Sequence, residues 1–253
     1  VQTPSDSVID VWLEELERRH LASMTFPEVR RALQALSTWY VERRREMKPG
    51  TALDSAGKRA AFALFYGPLH FLTVRRIVRE TGAQLPAPER IVDLGCGTGA
   101  AGAAWAVECG GRPALSGVDR NGWAAAEARW SWERLGLRGH ARRGDLGRLR
   151  LPGKQSAITA AYTVNELAQQ EREALLDRLL EASRRGARVL VVEPIARRIA
   201  PWWAAWAATV QQRGGRADEW RFETALPPLL QRLDRAAGLD HRELTARSLY
   251  LPG

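Results

Sequence analysis

Apolar positions in the first 85 or so residues recur at helical spacing. Ile9, Trp12, Leu13 and Leu16 form one stripe, behind a cap at Ser7 with Asp10 three residues on. "TFPE" supplies a second start, with Thr25 as N-cap, Pro27 in the first turn and Glu28 completing a capping box. Phe26, Val29, Leu33, Leu36 and Tyr40 form the stripe that follows. "KPGT" breaks the chain near residue 50. "AGKRAAFALFYGPLHFLTVRRIVRETG" then predicts a third, longer helix, kinked where Gly67 and Pro68 fall, and "AQLPAPER" reads as a linker.

From residue 90 the pattern changes to alternating strands and helices. "RIVDLG", "ALSGVD", "GHARRGD", "SAITAAYTV" and "ARVLVVEP" predict five strands, with helices starting near residues 99, 121, 167 and 196. "DEWRFETALPPLLQRLDRAAG" and "HRELTARSLYL" add a helix and one or two closing strands. Such alternation implies an α/β fold with a parallel sheet covered on both faces. Ligands then bind at the carboxyl ends of the strands.

Composition narrows the setting. In 253 residues, 45% are apolar and 26% charged, which reads as globular and soluble. No uncharged apolar run reaches the roughly 18 residues that a membrane span needs. The opening "VQTPSDSVIDVWLEELERR" lacks the basic and apolar regions of a secretory signal. Cys96 and Cys109, the only cysteines, offer neither a zinc spacing nor a disulfide framework, so a reducing, cytoplasmic location and no metal are expected. The net charge of +9 points to a polyanion such as RNA, although an arginine-rich, lysine-poor chain also follows from a GC-rich genome. The densest basic segment, "ARRGDLGRLRLPGK", carries Arg142, Arg143, Arg148, Arg150 and Lys154 and is either an RNA contact or a solvated loop.

The candidate chemistry begins at "IVDLGCGTGAAGAAWA". Gly95, Gly97 and Gly99 allow a sharp turn and a close approach of backbone to ligand. With Ala100 the segment also fits a permissive dinucleotide pattern, while the absence of Gly-Lys-Ser/Thr excludes a Walker A loop. Asp93, two residues before the first glycine, is the discriminating residue. A pyrophosphate at about 4 Å from it would be repelled by roughly 4 kcal/mol at an effective dielectric of 20, whereas a sulfonium or amino group would be attracted. The alternative is a strand-end aspartate that only caps the following helix. Asp119 ends the second strand, where an acid can accept from both ribose hydroxyls; Asp145 ends the third, where it can accept from an adenine amino group.

These residues resemble motif I and the cofactor site of class I S-adenosylmethionine-dependent methyltransferases, over residues 88 to 195. The resemblance implies a Rossmann-like sheet with an N-terminal helical extension. It divides the chain into a helical cap over 1–86 and a cofactor-binding domain over 87–253. S-adenosylmethionine is the cofactor it implies, with Cys96, Thr98, Arg120 and Leu146 flanking it. In this fold the end of the fourth strand, "AAYTVNEL", faces the transferable methyl group. Tyr162 then borders cofactor and acceptor, Asn165 orients an acceptor edge, and Glu166 is a base or a helix-dipole residue. Tyr66 and His70, four apart on one helical face, either reach the acceptor pocket or pack in the core.

"YTVNEL", "VLVVEPIARR" and "DEWRF...RSLYL" further resemble a methyltransferase-like family associated with the small ribosomal subunit. This implies ribosomal RNA as the methyl acceptor. Arg221 stands where that family carries a Cys-His pair, so an iron–sulfur centre is not expected. A small-molecule methyltransferase, an assembly factor with little activity and, more distantly, an NAD oxidoreductase remain alternatives. Ile199, Trp202, Trp203, Trp206 and Val210 form a last helical stripe, read as core against the sheet before a base-stacking platform or membrane face.

Overall fold

The computed structural model describes residues 4–42, 53–196 and 200–253. Helix α1 (Pro4–Leu21) starts three residues before the expected cap at Ser7, because Pro4 needs no N–H partner in a first turn. Its stripe of Ile9, Trp12, Leu13 and Leu16 is buried as expected. Helix α2 (Phe26–Glu42) opens at the "TFPE" start. The Glu28 carboxylate accepts from the Thr25 backbone N–H at 2.8 Å and from its hydroxyl at 2.7 Å, which holds the Glu28 pKa below the usual carboxylate range. Val29, Leu33 and Leu36 are buried and Phe26 half-buried. The "KPGT" break and the Tyr40 side chain lie outside what is described.

The third predicted helix runs unbroken as α3 (Ala56–Ala61), a π-helical turn over Phe62–Tyr66, and α4 (Gly67–Thr81). The Gly67 N–H bonds to the Phe62 carbonyl, five residues back. Pro68 has no N–H for the carbonyl one turn earlier, so the helix widens there instead of breaking. The distortion expected at Gly67 and Pro68 thus falls on the aromatic turn just before them. Gly82, left-handed at φ 68°, ends α4.

All five predicted strands form: β1 (Arg90–Leu94), β2 (Ala114–Asp119), β3 (Gly139–Arg143), β4 (Ser156–Ala161) and β5 (Arg188–Glu193). The closing strands are β6 (Arg216–Glu223) and β7 (Glu243–Leu251). Helices α5 (Ala100–Glu108), α6 (Gly122–Arg134), α7 (Gln169–Arg184), α8 (Trp203–Gln212) and α9 (Pro228–Ala236) connect them. α8 begins at Trp203 and not near 196, since the residue before Pro201 is disfavoured from helical backbone. The sheet order is β3-β2-β1-β4-β5-β7-β6. Strands β1 to β5 are parallel, and β7 runs antiparallel between β5 and β6. The strand order reverses between β1 and β4, so a crevice opens at the carboxyl ends of β1, β2 and β4.

Two apolar clusters cover the sheet. One joins α1 to α6, with Trp12, Phe65, Phe71 and Trp105 buried together with Leu115 of β2, so the N-terminal helices and the sheet share a core. Trp12 packs on Phe71 with ring centres 5.3 Å apart. At α6, buried Glu127 meets His20 at 2.8 Å and Arg19 at 3.3 Å, tying the end of α1 down. The second cluster lies under α7 and α8. Trp206 and Val210 are buried there and Trp202 and Trp203 half-buried, so the tryptophan stripe packs on the sheet; Ile199 lies outside the described residues. No helix among the described residues is long and apolar enough to cross a membrane.

Candidate active site

The glycine turn leaves β1 and enters α5 with Gly95, Gly97 and Gly99 at φ 64°, 51° and 83°. Two of the three have no room for a side chain. A Cβ on Gly95 would fall 2.4 Å from Thr163 Cγ2, and one on Gly99 would fall 2.5 Å from Trp132 Nε1. Gly97 differs, since its nearest neighbour would be Phe62 Cε1 at 3.9 Å. That face of the turn is an open cradle under the π-helical segment. The start of α4 seals one side of it, where Gly67 lies close to Thr98 Oγ1.

Three N–H groups of the turn and of the first turn of α5 are already committed. Gly97 donates to the Asp119 carboxylate at 2.8 Å, Gly99 to the Cys96 carbonyl at 2.7 Å, and Gly102 to Asp93 at 2.9 Å. A diphosphate cradled here would find the Gly97 donor already taken and would meet the Asp119 carboxylate instead. The turn therefore disfavours a dinucleotide for a firmer reason than the charge of Asp93 alone.

Asp93 itself corrects the sequence reading. Its carboxylate is 1% exposed and turned toward the first turn of α5, not into the crevice. The residue caps the helix, as the alternative reading has it, because the first N–H groups of a helix lack internal partners. Burial pushes its pKa up to about 7 against the Gly102 hydrogen bond, with the Asp119 charge adding to the rise. A folded value above the ordinary 3.8 stabilises the fold fully below that value and loses the contribution as pH rises through about 7. The melting temperature of the ligand-free protein is thus expected to fall between pH 5 and pH 8 more steeply than that of Asp93→Asn. Parallel melting curves check this.

Asp119 is the carboxylate that faces the turn. It accepts from Gly97 N–H and, at 2.7 Å, from Asn121 N–H, and burial raises its pKa. Asp145 accepts from Gly147 N–H at 2.8 Å, capping the short turn Leu146–Arg148, and stays half-exposed. Arg120 sits on the rim, paired with Glu171 at 2.5 Å and 3.8 Å from Asp145. Leu146 is buried. Cys96 also departs from the expectation. Its thiol points into the sheet against Gly117, and burial, with the charges of Asp93 and Asp119, holds it protonated, so only its backbone borders the cradle.

At the end of β4 the structure brings together Tyr162 and His70, far apart in sequence, in a stack of 3.6 Å and 13°. Tyr162 holds the left-handed φ of 57° that non-glycine residues rarely adopt. Asn165 does not present its amide to an acceptor. Its Nδ2 donates to Glu193 at 2.6 Å, and its Oδ1 accepts from Trp202 Nε1 at 2.9 Å. Glu193 also accepts from the N–H groups of Val164 and Asn165, at 2.8 and 3.2 Å. Glu166 is solvent-exposed on the same turn. Sequence reasoning misses Glu193 and Trp202 as site residues. The available signal is an acid closing an otherwise apolar strand, which a buried position tolerates only when its oxygens are satisfied.

Residues 91–186 match the model of a methyltransferase domain. The match runs from β1 through α7 and holds the glycine turn, Asp119, Asp145 and the β4 turn. Among solved structures the chain is similar to the mitomycin 7-O-methyltransferase MmcR, at 13% identity and a TM-score of 0.52, covering 98% of this chain and 75% of that one. It is similar too to the methyltransferase domain of bacterial CtHen1, at 15% identity and a TM-score of 0.49, over 74% of this chain and 99% of that one. A third is the Pyrococcus abyssi tRNA (uracil-54, C5)-methyltransferase, at 16% identity and 0.44, over 70% and 37%. No curated protein matches the chain. The seven-stranded sheet is the Rossmann-like methyltransferase fold. S-adenosylmethionine is the cofactor that goes with this domain and fold. The open cradle at Gly97, with Asp119 beside it and no N–H left for a diphosphate at Gly97, Gly99 or Gly102, fits that group.

Proposed function

We propose that the protein is an S-adenosylmethionine-dependent methyltransferase that acts on RNA of the small ribosomal subunit. The observation that carries the cofactor part is the turn whose donors bond to Asp119 and Asp93, beside a cradle that only a glycine at 97 leaves open. Asp119 would accept from the ribose hydroxyls, Asp145 from the adenine amino group, and Leu146 would supply an apolar contact beside the base. Gly95, Gly97 and Gly99 bring backbone against the cofactor, with Cys96 contributing its main chain and Arg120 closing the rim. When bound, the cofactor supplies an electrophilic methyl group. The chain's part is to hold the acceptor in line with it and exclude water. Tyr162 and His70 stand at that end, while Asn165 and Glu193 fix the turn that Glu166 shares.

The RNA target rests on the family resemblance of "YTVNEL" and "VLVVEPIARR" and on charge. Arg142, Arg143, Arg148, Arg150 and Lys154 are exposed or half-exposed. They run from the end of β3 toward β4, on either side of Asp145 in sequence. A second reading, a small-molecule acceptor, is favoured by the helical cover over the crevice, where Gly67 lies close to Thr98 and Phe62 lies over Gly97.

Transfer of tritiated methyl groups to isolated small ribosomal subunits, set against a pool of cell metabolites, tests the target. Label is expected in the subunit RNA. Label only in metabolites selects the second reading. Label in neither, with S-adenosylmethionine binding intact, overturns both in favour of an assembly factor.

A further inference from the structure

Resting on the methyltransferase reading, we propose that Glu171 is a positioning residue for the cofactor, which keeps Asp145 open to the adenine amino group by taking the Arg120 guanidinium for itself. Three elements meet there. Arg120 follows the last residue of β2, Asp145 stands two residues past the end of β3, and Glu171 lies in the first turn of α7. Their backbones are tied to one another. Gly144 N–H donates to the Asp119 carbonyl at 2.8 Å and Arg143 Nε to the Arg120 carbonyl at 3.2 Å, which joins the ends of β2 and β3. From α7, Arg178 donates to the Leu146 carbonyl at 3.1 Å and also to that of Leu149, so the helix is held against the turn that Asp145 caps. In this frame, side-chain rotation decides which carboxylate the guanidinium serves.

The oxygens of the two competing carboxylates are committed differently. Glu171 Oε2 accepts from the Ala168 N–H at 2.9 Å, and its Oε1 accepts from Arg120 Nη2 at 2.5 Å. The Ala168 hydrogen bond, and after it the Arg120 one, hold the Glu171 pKa below the usual carboxylate range, so this group stays ionised at neutral pH. Asp145 Oδ1 accepts from the Gly147 N–H at 2.8 Å and lies 3.8 Å from Arg120 Nη2, too far for a hydrogen bond. Among the described residues nothing donates to Asp145 Oδ2. The guanidinium thus rests on the acid that the adenine does not need. Of the other carboxylates that act on Arg120, Asp145 does so more strongly than Glu166. Without the charge at position 171, Arg120 would therefore turn to Asp145 and occupy the acceptor meant for the amino group. Arg120, Glu171 and Asp145 are all half-exposed, so either ion pair adds little to stability. A change of partner shows in ligand affinity, not in melting.

Calorimetry with two ligands tests this: S-adenosylhomocysteine, the demethylated form of the cofactor, and its analogue with hydrogen in place of the adenine amino group. The variant is Glu171→Gln, because glutamine three residues into the helix still completes the cap on Ala168 while giving up the charge. It is expected to bind S-adenosylhomocysteine about fivefold more weakly than the parent, the upper end of what an exposed ion pair contributes. The analogue, which has no amino group to lose, should bind within about twofold of the parent value. Adding Arg120→Leu should bring S-adenosylhomocysteine back to within about twofold, since no cation is then left to cover Asp145. An equal loss for both ligands, a loss for neither, or a loss that persists in the double variant overturns the proposal. So does a parent chain that binds the two ligands equally, because Asp145 then takes nothing from the amino group. Melting curves of the variants are expected to match the parent. A parent chain that binds neither ligand overturns the methyltransferase reading and the proposal with it, whereas one that binds S-adenosylhomocysteine leaves that reading standing whatever Glu171→Gln does.

Discussion

Asp119→Ala is expected to weaken S-adenosylmethionine binding about a hundredfold, as measured by titration calorimetry. Two losses combine. Carboxylate hydrogen bonds to a ligand are worth about 1.5–3 kcal/mol each, and the ribose would lose its acceptor. The Gly97 and Asn121 N–H groups lose theirs as well, so the turn that forms the cradle relaxes. A total of about 3 kcal/mol corresponds to the factor given. Asp119→Asn should fall between the two, because an amide oxygen still accepts one backbone N–H while its NH2 faces another donor. An affinity within about threefold of the parent for the alanine variant would remove Asp119 from the cofactor site. Tight NAD binding by the parent chain would remove the reading altogether.

The second large effect is reciprocal. Glu193→Gln should lower stability by about 3 kcal/mol, since it puts an amide donor against the Asn165 amide inside the protein. Asn165→Asp should do the same by putting carboxylate against carboxylate. Combined, the two changes restore a donor facing an acceptor. The new carboxylate at position 165 could still accept from Trp202 Nε1, and the new amide oxygen at position 193 from the Val164 N–H. The charge of the pair is unchanged. Each single variant is expected to melt roughly 6–12 °C lower, and the double variant to regain at least half of that. The KM for the acceptor should recover in parallel, because the network holds the turn on which Glu166 stands. If the double variant is as unstable as the two losses added together, the clamp between β4, β5 and α8 does not exist.

The gap between sequence and structure is instructive at Asp93. Its place at the end of an apolar strand was legible, and so was the glycine turn beyond it, because strand period and glycine spacing are local. Which way its carboxylate turned was not. The open N–H groups at the start of α5 claimed it, and the field that the sequence reading assigned to Asp93 belongs largely to Asp119 on the neighbouring strand. Asn165 gives the same lesson. As a polar residue after β4 it read as an acceptor contact, yet its amide is occupied by Glu193 and by Trp202, whose indole points at it from the approach to α8. The π turn was half legible. Gly67 and Pro68 announced a distortion, but only the packing of Phe65 and Leu64 into the core decided that the helix would widen and not stop.

By itself, then, the sequence determined the order of helices and strands, the parallel sheet, the caps at Thr25 and Glu28, and the positions of three acids on one edge. Those features depend on periodicity and on residues within a few positions of one another. The tertiary structure alone decided which side chains face the crevice. It stacked His70 on Tyr162, buried Glu193 against Asn165 and turned Cys96 and Asp93 inward. A side chain's direction follows the partners that packing brings to it from distant parts of the chain, and no local pattern carries that information.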